Sequence, residues 1–310
     1  MSSPSSTPEP SPGPPPDISR TQAWILAARP KTLTAALAPV AAGTGLAAHH
    51  GVMAWGPALA ALVGALLIQV GTNLANDYYD FVRGGDTADR VGPVRVTQAG
   101  ILAPHVVKRG MVITLGAAML VGVYLVSVGG WPIVWIGLAS VACAVLYTGG
   151  PFPLAYHGLG DVFVFVFFGL VAVAGTYYVQ GHSWPVDAFL VGASLGALNT
   201  ALLVVNNLRD IGTDERAGKR TLAVRIGPGA TKGEYILLLV VALVIPVIGW
   251  RVLAWPVASL GALLVTPLAV SPARKVLGHA DPPELLPALG QTARLTAVYG
   301  VLLGLALALG

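Results

Sequence analysis

Three observations predict an all-α integral membrane fold, a nine-transmembrane-helix bundle with its active loops at the cytoplasmic end. Apolar residues form 55% of the 310-residue chain and charged residues only 10%, whereas a soluble domain carries about 25% charged residues. Nine mainly apolar stretches approach the ~20 residues that span a hydrocarbon core: 33–48, 55–74, 110–128, 133–147, 162–179, 188–205, 235–252, 255–270 and 292–309. With the N-terminus in the cytoplasm, every one of the 18 Lys and Arg residues except Arg251 falls on the inner side. That asymmetry orients membrane proteins and predicts a multi-pass protein of the cell inner (plasma) membrane.

The elements follow in order. Residues 1–17 are rich in Pro and Ser, with neither a basic n-region nor an apolar h-region. They predict a disordered tail rather than a signal peptide, leaving 18–310 as one membrane domain. Residues 18–31 mix Trp24, Ile25 and Leu26 with Arg20, Arg29 and Lys31, a pattern suited to a helix lying at the membrane interface. The stretches 133–147 and 255–270 are short for full spans. Two inner connections, 80–109 and 206–234, are long. Cys143 is the single cysteine and lies in an apolar stretch, which excludes a disulfide framework and a thiolate metal site. The six His residues show no metal-ligand spacing. The scattered basic residues, explained by topology, give no nucleic-acid patch. Gly227 to Lys232 lacks the Gly-Lys-Ser/Thr ending of a phosphate-binding loop.

The chemistry concentrates in the two long inner connections. The first opens with Asn73-Leu74-Ala75-Asn76-Asp77-Tyr78-Tyr79-Asp80 and continues to Asp86 and Asp89. The second runs Asn206-Asn207-Leu208-Arg209-Asp210, then Asp214-Glu215-Arg216 and Lys219-Arg220. These stretches hold seven of the 14 acidic residues. Carboxylates at membrane helix ends are costly and mark function by default. If each helix continues past its apolar part, Asn76 and Asp80 share one face, as do Asp210 and Asp214. Hard oxygen ligands from two helices suit Mg²⁺, which takes one or two carboxylates and completes its shell with water and substrate phosphates. Asp86 and Asn207 are further candidate ligands. Arg83, Arg209, Lys219 and Arg220 would hold remaining phosphate oxygens. Such a site stabilises a departing diphosphate. An allylic cation left behind needs a dry cavity, and an electron-rich ring is its natural trap. Polar groups for that ring stand at other inner ends: Arg29, Lys31, Tyr147, Thr148 and Asp161. Against this stands the reading of solvated caps and loop charges, which remains open for Asp89, Glu215 and Arg216. Tyr78 and Tyr79 fit interfacial anchoring as well as substrate contact.

At these residues the chain resembles the UbiA superfamily of intramembrane aromatic prenyltransferases, most of all its 1,4-dihydroxy-2-naphthoate branch. The resemblance rests on Arg29 to Leu33, Asn73 to Asp86, Asp89 to Pro93, Gly158 to Asp161, Asn206 to Asp210 and Gly218 to Leu222. It implies a nine-helix bundle around a cavity open to membrane lipid. The partners implied are polyprenyl diphosphate and 1,4-dihydroxy-2-naphthoate, joined with decarboxylation to give demethylmenaquinone and diphosphate, with Mg²⁺ as cofactor. In the family pattern NxxxDxxxD, Asn76 and Asp80 match, position 84 is Gly, and the next acid is Asp86; DxxxD matches Asp210 and Asp214. The implied assignment makes Asp80, Asp210, Tyr147 and Asp161 catalytic. Arg29, Lys31, Asn73, Arg83, Arg209, Lys219 and Arg220 bind substrate, and Asn76, Asp80, Asp86, Asn207, Asp210 and Asp214 hold metal. The rival acceptors are 4-hydroxybenzoate, homogentisate or a sugar phosphate. A secondary transporter is a rival of another class, disfavoured because its charges belong at the membrane midplane.

Overall fold

The computed structural model describes residues 18–85 and 92–310. The expected tail, and with it Asp86 and Asp89, lies outside the described residues. Helices in chain order are α1 (Arg20–Ala28), α2 (Thr34–His49), α3 (Trp55–Val82), α4 (Pro104–Gly129) and α5 (Trp131–Leu146). They continue with α6 (Gly160–Gly181), α7 (Val186–Arg216), α8 (Leu222–Val252), α9 (Val257–Gly278) and α10 (Pro282–Leu309).

Among the described residues seven helices, α3, α4 and α6 to α10, are long and apolar enough to cross a membrane. The other two expected spans, α2 and α5, have 16 residues each. At 1.5 Å per residue each covers about 24 Å, less than the ~30 Å hydrocarbon core. The chain is a multi-pass membrane protein. Large apolar side chains such as Leu120, Trp131, Trp135 and Leu264 stand exposed on its outside, as expected where lipid replaces water.

Helix α1 begins with a capping box: the Ser19 hydroxyl accepts the Gln22 N–H, and the Gln22 side chain accepts the Ser19 N–H. It ends at Arg29 in the left-handed region, φ 51°, which turns the chain into a short 3₁₀ turn before α2. Trp24, Ile25 and Leu26 are exposed, consistent with the expected interfacial helix.

Helix α7 is the most enclosed and packs on α2, α6, α8 and α10. Small residues permit this. A β-carbon on Gly169 of α6 would sit 2.4 Å from the Gly196 Cα of α7, so the two backbones touch where lipid-embedded helices gain most from close packing. The contact falls in a π-turn, Val166–Val171. There the Asn199 amide of α7 donates to the Phe168 carbonyl at 2.9 Å and to the Ala35 carbonyl of α2 at 3.2 Å. A polar side chain thus supplies partners for backbone carbonyls that lipid could not satisfy.

Helices α3, α4 and α5 form the other wall and meet α6 and α2 around an apolar cavity of about 400 Å³. Ile68, Ala118, Ile133, Phe163 and Phe167 line it, with Thr72, Ser140, Tyr147 and Thr176 among its polar neighbours.

One expectation is corrected. The connection 206–234 is not a long loop: α7 runs to Arg216, α8 starts at Leu222, and only 217–221 lie between. Packing of α7 on its neighbours carries the helix through weak helix formers such as Asp210, Gly212 and Asp214, and the Thr221 hydroxyl caps α8 by accepting the Val224 N–H. Gly227, at φ 78°, then kinks α8 ahead of Pro228.

Candidate active site

Helix length builds the site. With 28 and 31 residues, α3 and α7 extend about 42 and 46 Å, more than the ~30 Å hydrocarbon core. Their last turns therefore project beyond the apolar layer at the same end of the bundle. Those turns carry Asn73 to Asp80 and Asn206 to Asp214, so the condition for Asn76/Asp80 and Asp210/Asp214 to share a helix face is met.

Tyr156, in the short turn Leu154–His157 between α5 and α6, joins the two clusters. Its hydroxyl donates to Asp80 Oδ1 at 3.0 Å. The Arg83 guanidinium lies 5.8 Å from its ring centroid and the Lys219 ammonium 5.7 Å from it. Lys219 also approaches Asp214 Oδ1 at 3.5 Å. The Arg220 N–H donates to the Tyr156 carbonyl at 3.1 Å, and Arg225 holds the same turn through the His157 carbonyl at 3.0 Å. Arg83 also donates to the Gly150 carbonyl.

Each carboxylate has a distinct setting. Asp80 is buried and pairs with Arg95 Nη2 at 3.1 Å. Asp210 is buried in a bidentate pair with Arg209, Nε to Oδ1 at 2.7 Å and Nη2 to Oδ2 at 2.6 Å, and Arg209 also reaches Asn206. Asp214 lies near enough to Asp210 and Asp80 to feel both charges, and its Oδ2 is buried with no hydrogen-bond partner among the described residues. Asn207 is buried on the same helix end. Asn76 accepts from the Thr148 hydroxyl at 3.0 Å.

Tyr147 stands just beyond α5 and lines the cavity. Burial, and then the Asp161, Asp80 and Asp214 carboxylates, push its hydroxyl above the usual phenol range, so it is a neutral donor at physiological pH. It lies against Gly160, where a β-carbon would come within 2.9 Å of the phenol oxygen. Asp161 follows, buried, with Oδ2 unpartnered among the described residues. The apolar cavity thus reaches the carboxylate cluster through Tyr147.

Three further expected site residues lie around the α1–α2 connection. The Asn73 amide donates to the Ala28 carbonyl at 2.9 Å and to the Thr32 hydroxyl at 3.0 Å. It ties α3 to the α1–α2 connection. Lys31 is exposed, and Arg29 forms the α1 C-cap. Two residues that sequence reasoning passed over join the site, Arg95 and Tyr156. The signal for Arg95 was its place just after the Asp89-to-Pro93 stretch. Tyr156 had none beyond its position two residues before Gly158.

The residues suit a divalent cation that completes its shell with other oxygen ligands. Among the described residues no three carboxylate, imidazole or thiol side chains cage an ion by themselves. Yet Asp214 presents a buried carboxylate oxygen without a partner, beside Asp80 and Asp210. Mg²⁺ characteristically relies on one or two carboxylates plus phosphate oxygens.

Fold and site define a multi-pass membrane protein with a polar, carboxylate-rich mouth over an apolar cavity. Residues 36–308 match the UbiA prenyltransferase family, and the chain belongs to that family. It is 41% identical over 286 residues to a 1,4-dihydroxy-2-naphthoate octaprenyltransferase of Mycobacterium leprae, covering 92% of this chain and 96% of the relative. It is 39% identical over 295 residues to the enzyme of that name from Escherichia coli, covering 89% and 92%. A UbiA homolog from Archaeoglobus fulgidus, solved with GPP and Mg²⁺, shares the fold at TM-score 0.60 and 15% identity, covering 90% of this chain and 98% of that one. The apo UbiA homolog from Aeropyrum pernix does so at TM-score 0.66 and 12% identity, covering 91% and 97%.

Proposed function

We propose that the protein transfers a polyprenyl group from polyprenyl diphosphate to 1,4-dihydroxy-2-naphthoate, with loss of the acceptor's carboxylate. The observation that carries this reading is the meeting of two Asp-bearing helix ends across Tyr156, at the mouth of an apolar cavity. The curated relatives of that name, 36–41% identical over about 90% of the chain, support the acceptor.

The cavity takes the isoprenoid chain, whose apolar carbons match its walls. The diphosphate lies at the mouth between the ends of α3 and α7. Asp80, Asp210 and Asp214, with Asn76 and Asn207 beside them, would hold Mg²⁺ there. When bound, such a cation would supply positive charge against the leaving diphosphate. Arg83, Lys219 and Arg220 bind the outer phosphate oxygens, and Arg209 keeps Asp210 oriented through its two hydrogen bonds. The C1–O bond breaks and diphosphate departs with the electron pair. The allylic cation is captured by the ring carbon that bears the carboxylate. Loss of CO₂ returns its bonding electrons to the ring and leaves the quinol form of demethylmenaquinone. Apolar walls keep water from the cation. Tyr147, between cavity and carboxylates, would orient the acceptor, with Asp161 behind it; Arg29 and Lys31 would bind the acceptor's carboxylate.

The protein sits in the cell inner membrane with nine crossings, the N-terminus and the carboxylate-rich end in the cytoplasm. The concentration of Lys and Arg around that end supports this orientation.

The deciding experiment is mass spectrometry of products from purified enzyme, Mg²⁺, dihydroxynaphthoate and polyprenyl diphosphates of several lengths. A prenylated, decarboxylated naphthoquinol is expected. Prenylation of 4-hydroxybenzoate or homogentisate with none of dihydroxynaphthoate would overturn the acceptor.

A further inference from the structure

Asp77 belongs to the first acidic cluster, yet it does not face Asp80. It is 1% exposed, among the most enclosed carboxylates in the chain. Its Oδ2 accepts the Val96 N–H at 3.1 Å and its Oδ1 the Thr97 N–H at 3.0 Å. The preceding residue, Arg95, is the one whose Nη2 lies 3.1 Å from Asp80 Oδ2. Asp77 and Asp80 sit on adjoining sides of one helix end, three residues apart. Val96 is fully buried against Leu74, Ala75, Val107 and Met111, so an apolar plug already holds this segment to α3 and α4. The segment is also held within itself, the Arg95 carbonyl accepting the Ala99 N–H and the Val96 carbonyl those of Ile101 and Leu102, but neither the plug nor this turn sets its rotation against α3. Two charge-assisted hydrogen bonds to successive backbone N–H groups fix that rotation, and with it the direction in which Arg95 leaves the backbone. A buried carboxylate is an expensive fastener, so orientation is what it contributes beyond the plug.

We propose that Asp77 is a positioning residue: it clamps the Val96–Thr97 backbone so that the Arg95 guanidinium is delivered to the diphosphate end of the site beside Asp80. Were Asp80 to hold a cation, the Arg95 guanidinium would be placed to bind diphosphate oxygens from the same backbone position. The inference rests on the prenyl-transfer reading for its biological meaning, but not for its test.

The test is the affinity of the purified full-length protein for inorganic diphosphate in excess Mg²⁺, measured by titration calorimetry on wild type, Asp77→Asn, Arg95→Ala and the double variant. The amide of Asn cannot accept both N–H groups, so Asp77→Asn should weaken binding about tenfold, the scale of losing one hydrogen bond to a charged group. Arg95→Ala should weaken it at least as much. In the Arg95→Ala background Asp77→Asn should add less than twofold, because residues that act through one another are not additive. Asp77→Glu, which keeps two acceptor oxygens, should recover part of the affinity. Multiplicative losses in the double variant, or an unchanged diphosphate affinity in Arg95→Ala, would overturn the proposal. If Asp77→Asn does not accumulate, the Arg95→Ala and Asp77→Glu measurements still decide it. Steady-state assays of the same proteins separate this inference from the function: absence of prenylated product in wild type rejects the proposed reaction, whereas the diphosphate titrations judge the clamp.

Discussion

The ends of α3 and α7 carry similar residues and are wired in opposite ways. At the end of α7 the partners are local. Arg209 pairs with its neighbour Asp210, and Lys219 reaches Asp214 from the turn that follows, where its own N–H also donates to the Asp214 carbonyl at 2.8 Å. At the end of α3 the partners are remote. Asp80 is held by Arg95 and by Tyr156, Asp77 by the Val96–Thr97 backbone, and Asn76 by Thr148. The carboxylates of one helix end are paired locally, whereas the polar side chains of the other are held by three separate segments. Like composition and like spacing therefore do not imply like mechanics.

The largest expected effect treats the two ends as equals. Asp80→Asn and Asp210→Asn should each lower turnover by at least about 10²-fold, the scale of removing one preorganised electrostatic stabiliser. Chelation should abolish activity, and Mg²⁺ should restore it. Near-normal turnover of either variant at saturating Mg²⁺, measured by product formation, would break the symmetry of the two clusters as cation ligands.

A smaller effect divides phosphate from acceptor. Lys219→Ala and Arg220→Ala should raise the KM for polyprenyl diphosphate about tenfold, as expected for lost charge-assisted contacts. Tyr147→Phe and Arg29→Ala should act instead on the KM for dihydroxynaphthoate or on kcat. Interchangeable profiles in the two sets would remove the division of the mouth between the substrates.

Tyr156→Phe sharpens the comparison further. It deletes the hydrogen bond to Asp80 but keeps the ring beneath Arg83 and Lys219. A loss of roughly 1 kcal/mol, about fivefold in kcat/KM, is expected. Tyr156→Ala should cost more, because it also removes the surface that the α7 side leans on. Equal effects of the two variants would show that Tyr156 does not couple the helix ends.

The smallest effect lies outside both ends. Ser19→Ala removes half of the α1 capping box and should cost about 1 kcal/mol of local helix stability. It should appear as faster proteolysis near residue 20, with turnover within twofold of wild type.

Membrane embedding, the helix-borne Asp pairs and the family were legible in the sequence because each depends on local composition and spacing. Apolar runs must meet the bilayer, and 3.6-residue periodicity places Asp210 and Asp214 on one face wherever the helix goes. Lys219 was legible too, since its partner lies five residues back. What tertiary structure alone decided was the identity of distant partners. Spacing from Asn76 singled out Asp80, but nothing local to Asp77 shows that it takes the Val96 and Thr97 N–H groups. Nothing near Tyr156 indicates that it will bridge α3 to the α7–α8 turn. Nor does the sequence around Asn73 show that its amide is spent on the Ala28 carbonyl. Those outcomes follow from which segments the apolar core brings side by side, through contacts between residues dozens of positions apart, and local pattern carries no record of them.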